Sequence, residues 1–249
     1  MVVPVAKRYR EAFHLLLEDP SRFARYLRRL LGPMRPDYRR RFRMSLRRWL
    51  LYHHKEIHHD QCHWMGVRAL KNPLDAWVYQ EILHEVQPDV VVEIGSNEGG
   101  STLFLAHLLE IIGKGLVVSV DIDRSRFQAS HDRIVTVTGD SSAEATIRQV
   151  ADLCEGKRGL VIHDSNHNKE PVLRDLRTYE RFVSVGSYLI VEDGILDLFR
   201  PGDGLGWFAE GPLAAVEQFV RERPDFRIDS TREKYVMTYN PRGFLRRVS

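Results

Sequence analysis

Apolar residues recur every three to four positions near the start of the chain, where Phe13, Leu16, Leu17, Phe23, Tyr26, Leu27, Leu30 and Leu31 share one helical face and arginines fill the other. Pro33 and Pro36 end that helix. A second helix is predicted over 38–51, with Arg39, Arg40, Arg41, Arg43, Arg47 and Arg48 around a thin apolar stripe. A third follows Pro73, with Trp77, Ile82 and Leu83 as its apolar face. From Asp89 the grammar changes. Short β-branched runs at 89–94, 116–122, 134–138, 159–163 and 188–192 read as strands buried on both faces. Helical stretches at 102–112, 143–153, 170–182 and 213–223 alternate with them, and 226–248 reads as a closing strand pair. This succession predicts an α/β fold: a mostly parallel, doubly wound sheet with an antiparallel closing strand, behind an N-terminal helical extension. The expected division is 1–88 for the basic helical extension and 89–249 for the catalytic domain.

Charge sharpens that division. The 249 residues carry a formal net charge of only +3, which argues against a nucleic-acid partner, yet residues 1–50 hold fourteen basic and four acidic side chains. Two roles fit this segment: a solvated or subunit-facing helix in a homo-oligomer, or a contact with an anionic membrane surface. No secretory signal or spanning segment is read, and Cys62 and Cys154 form no zinc or disulfide pattern, so the expectation is a reduced cytoplasmic protein, peripheral to the membrane at most. The tract holding His53, His54, His58, His59 and His63, with Glu56, Asp60 and Cys62, is read as a segment near the active-site mouth or as a metal site.

In a parallel sheet, ligands gather at the carboxyl ends of the strands. The first strand runs into Glu93-Ile94-Gly95-Ser96-Asn97-Glu98-Gly99-Gly100-Ser101, where Gly95 allows a tight turn and Gly99 a close backbone approach by a ligand. The spacing is neither the dinucleotide fingerprint nor a P-loop. Asp121 ends the second strand, two residues before Asp123, in a position to accept from ribose hydroxyls, and Asp140-Ser141 follows the third, near an adenine edge. With Glu93 as an anchor for an ammonium group, these residues fit S-adenosylmethionine. The fourth and fifth strands end at Asp164 and at Glu192-Asp193, and three converging carboxylates require positive charge between them, which Mg²⁺ or another hard divalent cation supplies. His167, three residues after Asp164, is the candidate base, with Asp164 as its catalytic partner through the metal. A two-His-one-carboxylate iron site is disfavoured, because neighbours such as His163 and Asp164 point to opposite faces of a strand.

The segments VVEIGSNEGGSTLFLA, VSVDID, TGDSS, VIHDSNH and GSYLIVED, flanked by HWMGVRALKNPLDAWVYQEIL and TYNPRGFLRR, resemble the cephalosporin hydroxylase and rhamnosyl O-methyltransferase family over about residues 63 to 246. The resemblance implies a Rossmann-like class I methyltransferase fold, S-adenosylmethionine, a divalent metal at Asp164, Glu192 and Asp193, and a hydroxyl acceptor on a sugar, glycolipid or secondary metabolite. His167 stands where catechol-type enzymes carry a lysine base. The alternative is a non-catalytic S-adenosylmethionine-binding partner of another enzyme. The glycine-rich loop 194–211, with Phe199, Trp207 and Phe208, reads as a lid over the acceptor.

Overall fold

The β-branched runs pair side by side into one seven-stranded sheet. The computed structural model describes residues 42–200, 203 and 210–249. The helix expected around Phe13 to Leu31, most of the arginine-rich segment 1–50, and the lid residues Trp207 and Phe208 lie outside the described residues. Helix α1 (Leu46–His53) runs into a π turn (His54–His58), followed by a small hairpin of β1 (His63–Trp64) and β2 (Val67–Arg68). Helix α2 (Pro73–Val86) precedes β3 (Val90–Ile94), α3 (Gly100–Ile112), β4 (Leu116–Asp121), β5 (Ile134–Thr138), α4 (Glu144–Cys154), β6 (Gly159–His163), α5 (Lys169–Tyr179) and β7 (Tyr188–Val191). The chain closes with α6 (Pro212–Glu222), β8 (Phe226–Ile228) and β9 (Phe244–Arg247).

The strand order is β5-β4-β3-β6-β7-β9-β8, parallel except that β9 runs antiparallel to both β7 and β8. Alternation along β3 explains its unbroken apolar run. Val90, Val92 and Ile94 join one core layer that includes Val172 and Leu176 of α5 and Phe219 of α6. Val91 joins the other, with Ile82 and Leu83 of α2 and Leu105 of α3. Helix α2 therefore belongs to the catalytic unit, which spans Leu50–Ser249, and the boundary expected after residue 88 is corrected to one before Leu50. Its buried stripe is Val78, Tyr79, Ile82, Leu83 and Val86, whereas Trp77, expected on the apolar face, is exposed because it lies on the other side of the helical turn. Asn72 caps α2 by accepting from the Leu74 N–H at 3.2 Å, with Pro73 next, a cap worth about 1 kcal/mol. No helix of the described residues is long and apolar enough to cross a membrane.

Past the end of β3 the backbone stays in contact with β6 and β4. The Asp164 N–H donates to the Ile94 carbonyl at 2.8 Å, and the Gly95 N–H to the Val120 carbonyl at 2.8 Å. Gly95 has φ +87°, and a Cβ there would lie 1.9 Å from the Asp164 carbonyl oxygen. Gly95→Ala should therefore push the two strand ends apart and lower the melting temperature by several degrees, on the order of 2–3 kcal/mol of strain and lost contact. An unchanged melting curve by circular dichroism would contradict this.

Candidate active site

Five strand ends open onto a cavity of about 640 Å³. Its walls include Gly95, Ser96, Ser101, Asp121, Asp123, Asp140, Ser141, Asp164, His167 and Asp193, so most of the residues expected from the sequence meet there. Asp121 organises the glycine loop. Its Oδ2 accepts from the backbone N–H groups of Ser96 at 2.8 Å and Asn97 at 2.9 Å, and its Oδ1 accepts from the Asp123 N–H at 3.1 Å. Burial alone would raise its pKa, but these N–H donors outweigh burial and hold the carboxyl below the usual range. Asp123 is exposed and closes its own turn by accepting from the Ser125 N–H at 2.8 Å. At the far end, Asp140 accepts from the Ser142 N–H at 2.8 Å, and the Ser141 hydroxyl donates to Asp175 Oδ2 at 2.9 Å. His163 Nε2 lies 3.2 Å from the same Asp175 oxygen, on the opposite side of the sheet from Asp164's partners, as strand alternation requires.

Two expected cofactor residues do not reach the cavity wall. Glu93 is fully buried beneath it, where Thr102 Oγ1 donates to its Oε2, while Oε1 has no hydrogen-bond partner. Burial raises its pKa, against the opposing charge of Lys71. Gly99 has φ +89°, and a Cβ on it would sit 2.7 Å from Phe127 and from Ala129, so its missing side chain makes room for the protein's own 127–129 segment. The sequence could not show that approach, because it comes from a loop beyond the next strand.

The acidic end contains a cation that the sequence reading passes over. Lys71 Nζ donates to Asp164 Oδ2 and to Glu192 Oε2, each at 2.6 Å, and the lysine is only 7% exposed. Burial would lower its pKa, but the two carboxylates reverse the shift and raise it, so Lys71 is an ammonium. Glu192 remains well above the usual carboxylate range, because burial and the neighbouring Asp164 outweigh what the shared ammonium returns. Its Oε1 is buried without a partner. Two carboxylates thus share one ammonium.

Asp193 turns the other way. It adopts φ +59°, a left-handed conformation uncommon outside glycine, with its N–H donating to Asn240 Oδ1 at 3.1 Å. Its Oδ2 lies 3.0 Å from His167 Nε2. Burial would raise the Asp193 pKa, yet the hydrogen bond and charge of His167 lower it. Reciprocally, burial would lower His167, but Asp193 and Asp164 raise it. One ligand atom from each of Asp164, His167 and Asp193 falls within 4.8 Å of the others, and they are the group of metal-capable side chains found among the described residues. Glu192, also expected as a metal ligand, lies outside that group, its Oε2 accepting from Lys71.

Segments far apart in sequence fix these positions through Asp75. It accepts from Asn72 Nδ2 at 2.9 Å, from Thr238 Oγ1 at 2.6 Å and from the Tyr239 N–H at 2.8 Å, tying Lys71-Asn72 to Thr238-Asn240. Lys71 is thereby set beneath Asp164 and Asn240 beside Asp193. Burial lifts the Asp75 pKa to about 6.

The sequence model described as Rhamnosyl O-methyltransferase/CmcI matches residues 56–248. The chain belongs to this family. It is 37% identical over 189 residues to the rhamnosyl O-methyltransferase of Mycobacterium leprae (strain TN), spanning 73% of this chain and 81% of that protein. With the rhamnosyl O-methyltransferase of Mycobacterium tuberculosis (strain ATCC 25618 / H37Rv) it shares 33% over 190 residues, 73% of this chain and 76% of the other. A solved structure described as "cmcI-D160 Mg-SAM" aligns with a TM-score of 0.58 at 25% identity, covering 83% of this chain and 85% of that one. The protein is an S-adenosylmethionine-dependent O-methyltransferase with the class I sheet order. The alternative of a non-catalytic partner loses its ground.

Proposed function

We propose that this enzyme methylates a hydroxyl of a sugar, with a rhamnosyl group of a glycolipid or related natural product as the first class of acceptor, assisted by a divalent cation. The convergence of Asp164, His167 and Asp193 at the edge of the cavity carries this reading. The mycobacterial relatives, named as rhamnosyl O-methyltransferases, support the sugar, and the neighbour described with Mg and SAM supports the metal.

The residues fit both groups. The cavity wall offers carboxylates and backbone turns for the amino-acid, ribose and adenine parts of S-adenosylmethionine: Gly95, Ser96 and Ser101, then Asp121 and Asp123, then Asp140 and Ser141. Glu93 and Gly99 support these positions from behind. Asp164 and Asp193 are hard oxygen ligands suited to Mg²⁺, and the unpartnered Glu192 Oε1 is the third oxygen that could turn towards it. When bound, S-adenosylmethionine supplies the methyl group and the divalent ion would lower the pKa of the acceptor hydroxyl. Oriented by Asp193, His167 would take the hydroxyl proton while the oxygen attacks the methyl carbon and the C–S bond breaks. Asp193 orients the ring and stabilises the imidazolium that results.

His167→Gln separates a base from a ligand. As a base, its loss should lower kcat by about two orders of magnitude, within the range for removing general-base catalysis, and leave Mg²⁺ affinity nearly intact. A matching loss of Mg²⁺ affinity in calorimetry would instead make His167 a metal ligand and overturn the base assignment.

A further inference from the structure

The histidine tract before the sheet has no role in the scheme above, yet it reaches the same cavity. The π turn His54–His58 continues α1, and such turns are rare and concentrate at functional sites. It brings the His54 and His58 rings together at 5.3 Å between centroids and 22° between planes. Tyr239 stacks on His54 at 5.9 Å and 27°, and Phe199 meets His54 edge-on at 5.8 Å. Phe199, expected in a lid, is thus a buried support for this wall.

Hydrogen bonding distinguishes the members of the tract. His53 Nδ1 is held 2.8 Å from the Tyr239 hydroxyl. His54 and His58 are 9% and 4% exposed, and the Nδ1 atom of each is buried with no hydrogen-bond partner. An unsatisfied buried nitrogen costs about 1–3 kcal/mol, and of these two only that of His58 belongs to a residue of the cavity wall. His58 lines the cavity beside Asp193 and His167. The metal-capable group found among the described residues includes neither ring, which leaves the expected metal role of the tract without support.

We propose that His58, backed by His54 and Tyr239, forms the acceptor wall of the cavity, where it binds a hydroxylated ring, a sugar, next to Asp193 and His167. This inference rests on the sugar-methylating reading and adds the surface that recognises the sugar. A neutral imidazole nitrogen donates or accepts according to its tautomer, which suits a hydroxyl that does both. Burial pushes His58 down to about 3 and His54 to about 4, so both stay neutral and place no positive charge beside an incoming sulfonium.

The test titrates methyl α-L-rhamnopyranoside into the full chain with S-adenosylhomocysteine and Mg²⁺ present, for wild type, His58→Leu and His58→Asn. The Leu variant should bind the rhamnoside about tenfold more weakly, the size of one lost hydrogen bond, while S-adenosylhomocysteine affinity stays within about twofold as the control for folding. The Asn variant, whose amide nitrogen lies near the Nδ1 position, should recover part of the loss, which a merely structural ring would not do. Equal rhamnoside affinity in wild type and His58→Leu overturns the wall. Wild type that binds S-adenosylhomocysteine but no rhamnoside overturns the sugar as ligand class. Wild type that binds neither contradicts the methyltransferase reading itself.

Discussion

Replacing Lys71 by Met should lower the melting temperature by about 10 °C, corresponding to roughly 3–5 kcal/mol for removing one partner of a buried ion pair. Lys71 is the ammonium that Asp164 and Glu192 share at 2.6 Å each. Methionine keeps most of the volume, so the loss reports charge rather than packing. Two buried carboxylates would then repel each other with no cation between them. Both already have pKa values raised by burial, so in the variant the folded state binds protons more readily than the unfolded chain. Stability must then rise as pH falls towards the carboxylate range, and the deficit against wild type should shrink. If the cluster is the proposed cation site, Mg²⁺ should stabilise the variant more than wild type, because Lys71 no longer competes for the same carboxylates. Thermal melts across pH, with and without Mg²⁺, measure all three effects. A variant as stable as wild type at neutral pH would show that Lys71 is not the counter-ion of the site.

Asp164→Ala should reduce turnover by about two to three orders of magnitude, the cost of losing one preorganised charge at a reacting centre. This carboxylate serves both sides of the cluster: its Oδ2 receives Lys71, and it joins His167 and Asp193 in the group that can hold a cation. Removing it should weaken Mg²⁺ binding and erase the metal dependence of the remaining rate. S-adenosylmethionine affinity should be largely kept, because the Asp121 loop and the Asp140–Ser141 turn do not depend on Asp164. Full turnover in this variant would remove the metal from the account.

The strand ends were the legible part of this chain. A β-branched run followed by Gly or Asp marks the carboxyl edge of a parallel sheet, which is why Asp121, Asp164 and Asp193 could be placed at one cavity from spacing alone. The convergence of three carboxylates also implied positive charge among them. What the sequence did not show was that a lysine provides part of it, since Lys71 lies 93 and 121 positions from its two partners. The available signal was local: a lysine immediately before the Asn72-Pro73 start of a helix, in the segment that carries the family likeness. Asp75 and Asn240 were hidden for the same reason, since a buried bridge between residues 75 and 238–240 has no period. Trp77 and Gly99 were misplaced because an apolar or small residue shows what it permits, while tertiary packing decides what approaches it.

The most direct test is calorimetric titration of S-adenosylmethionine into wild type and Asp121→Ala, each with and without Mg²⁺. Asp121 anchors the Ser96 and Asn97 amides at the end of the cavity proposed to hold the cofactor. Wild type should bind the cofactor, and the variant should bind it at least about tenfold more weakly, for the loss of a charged hydrogen-bond acceptor. Absence of wild-type binding in both metal conditions would contradict the account.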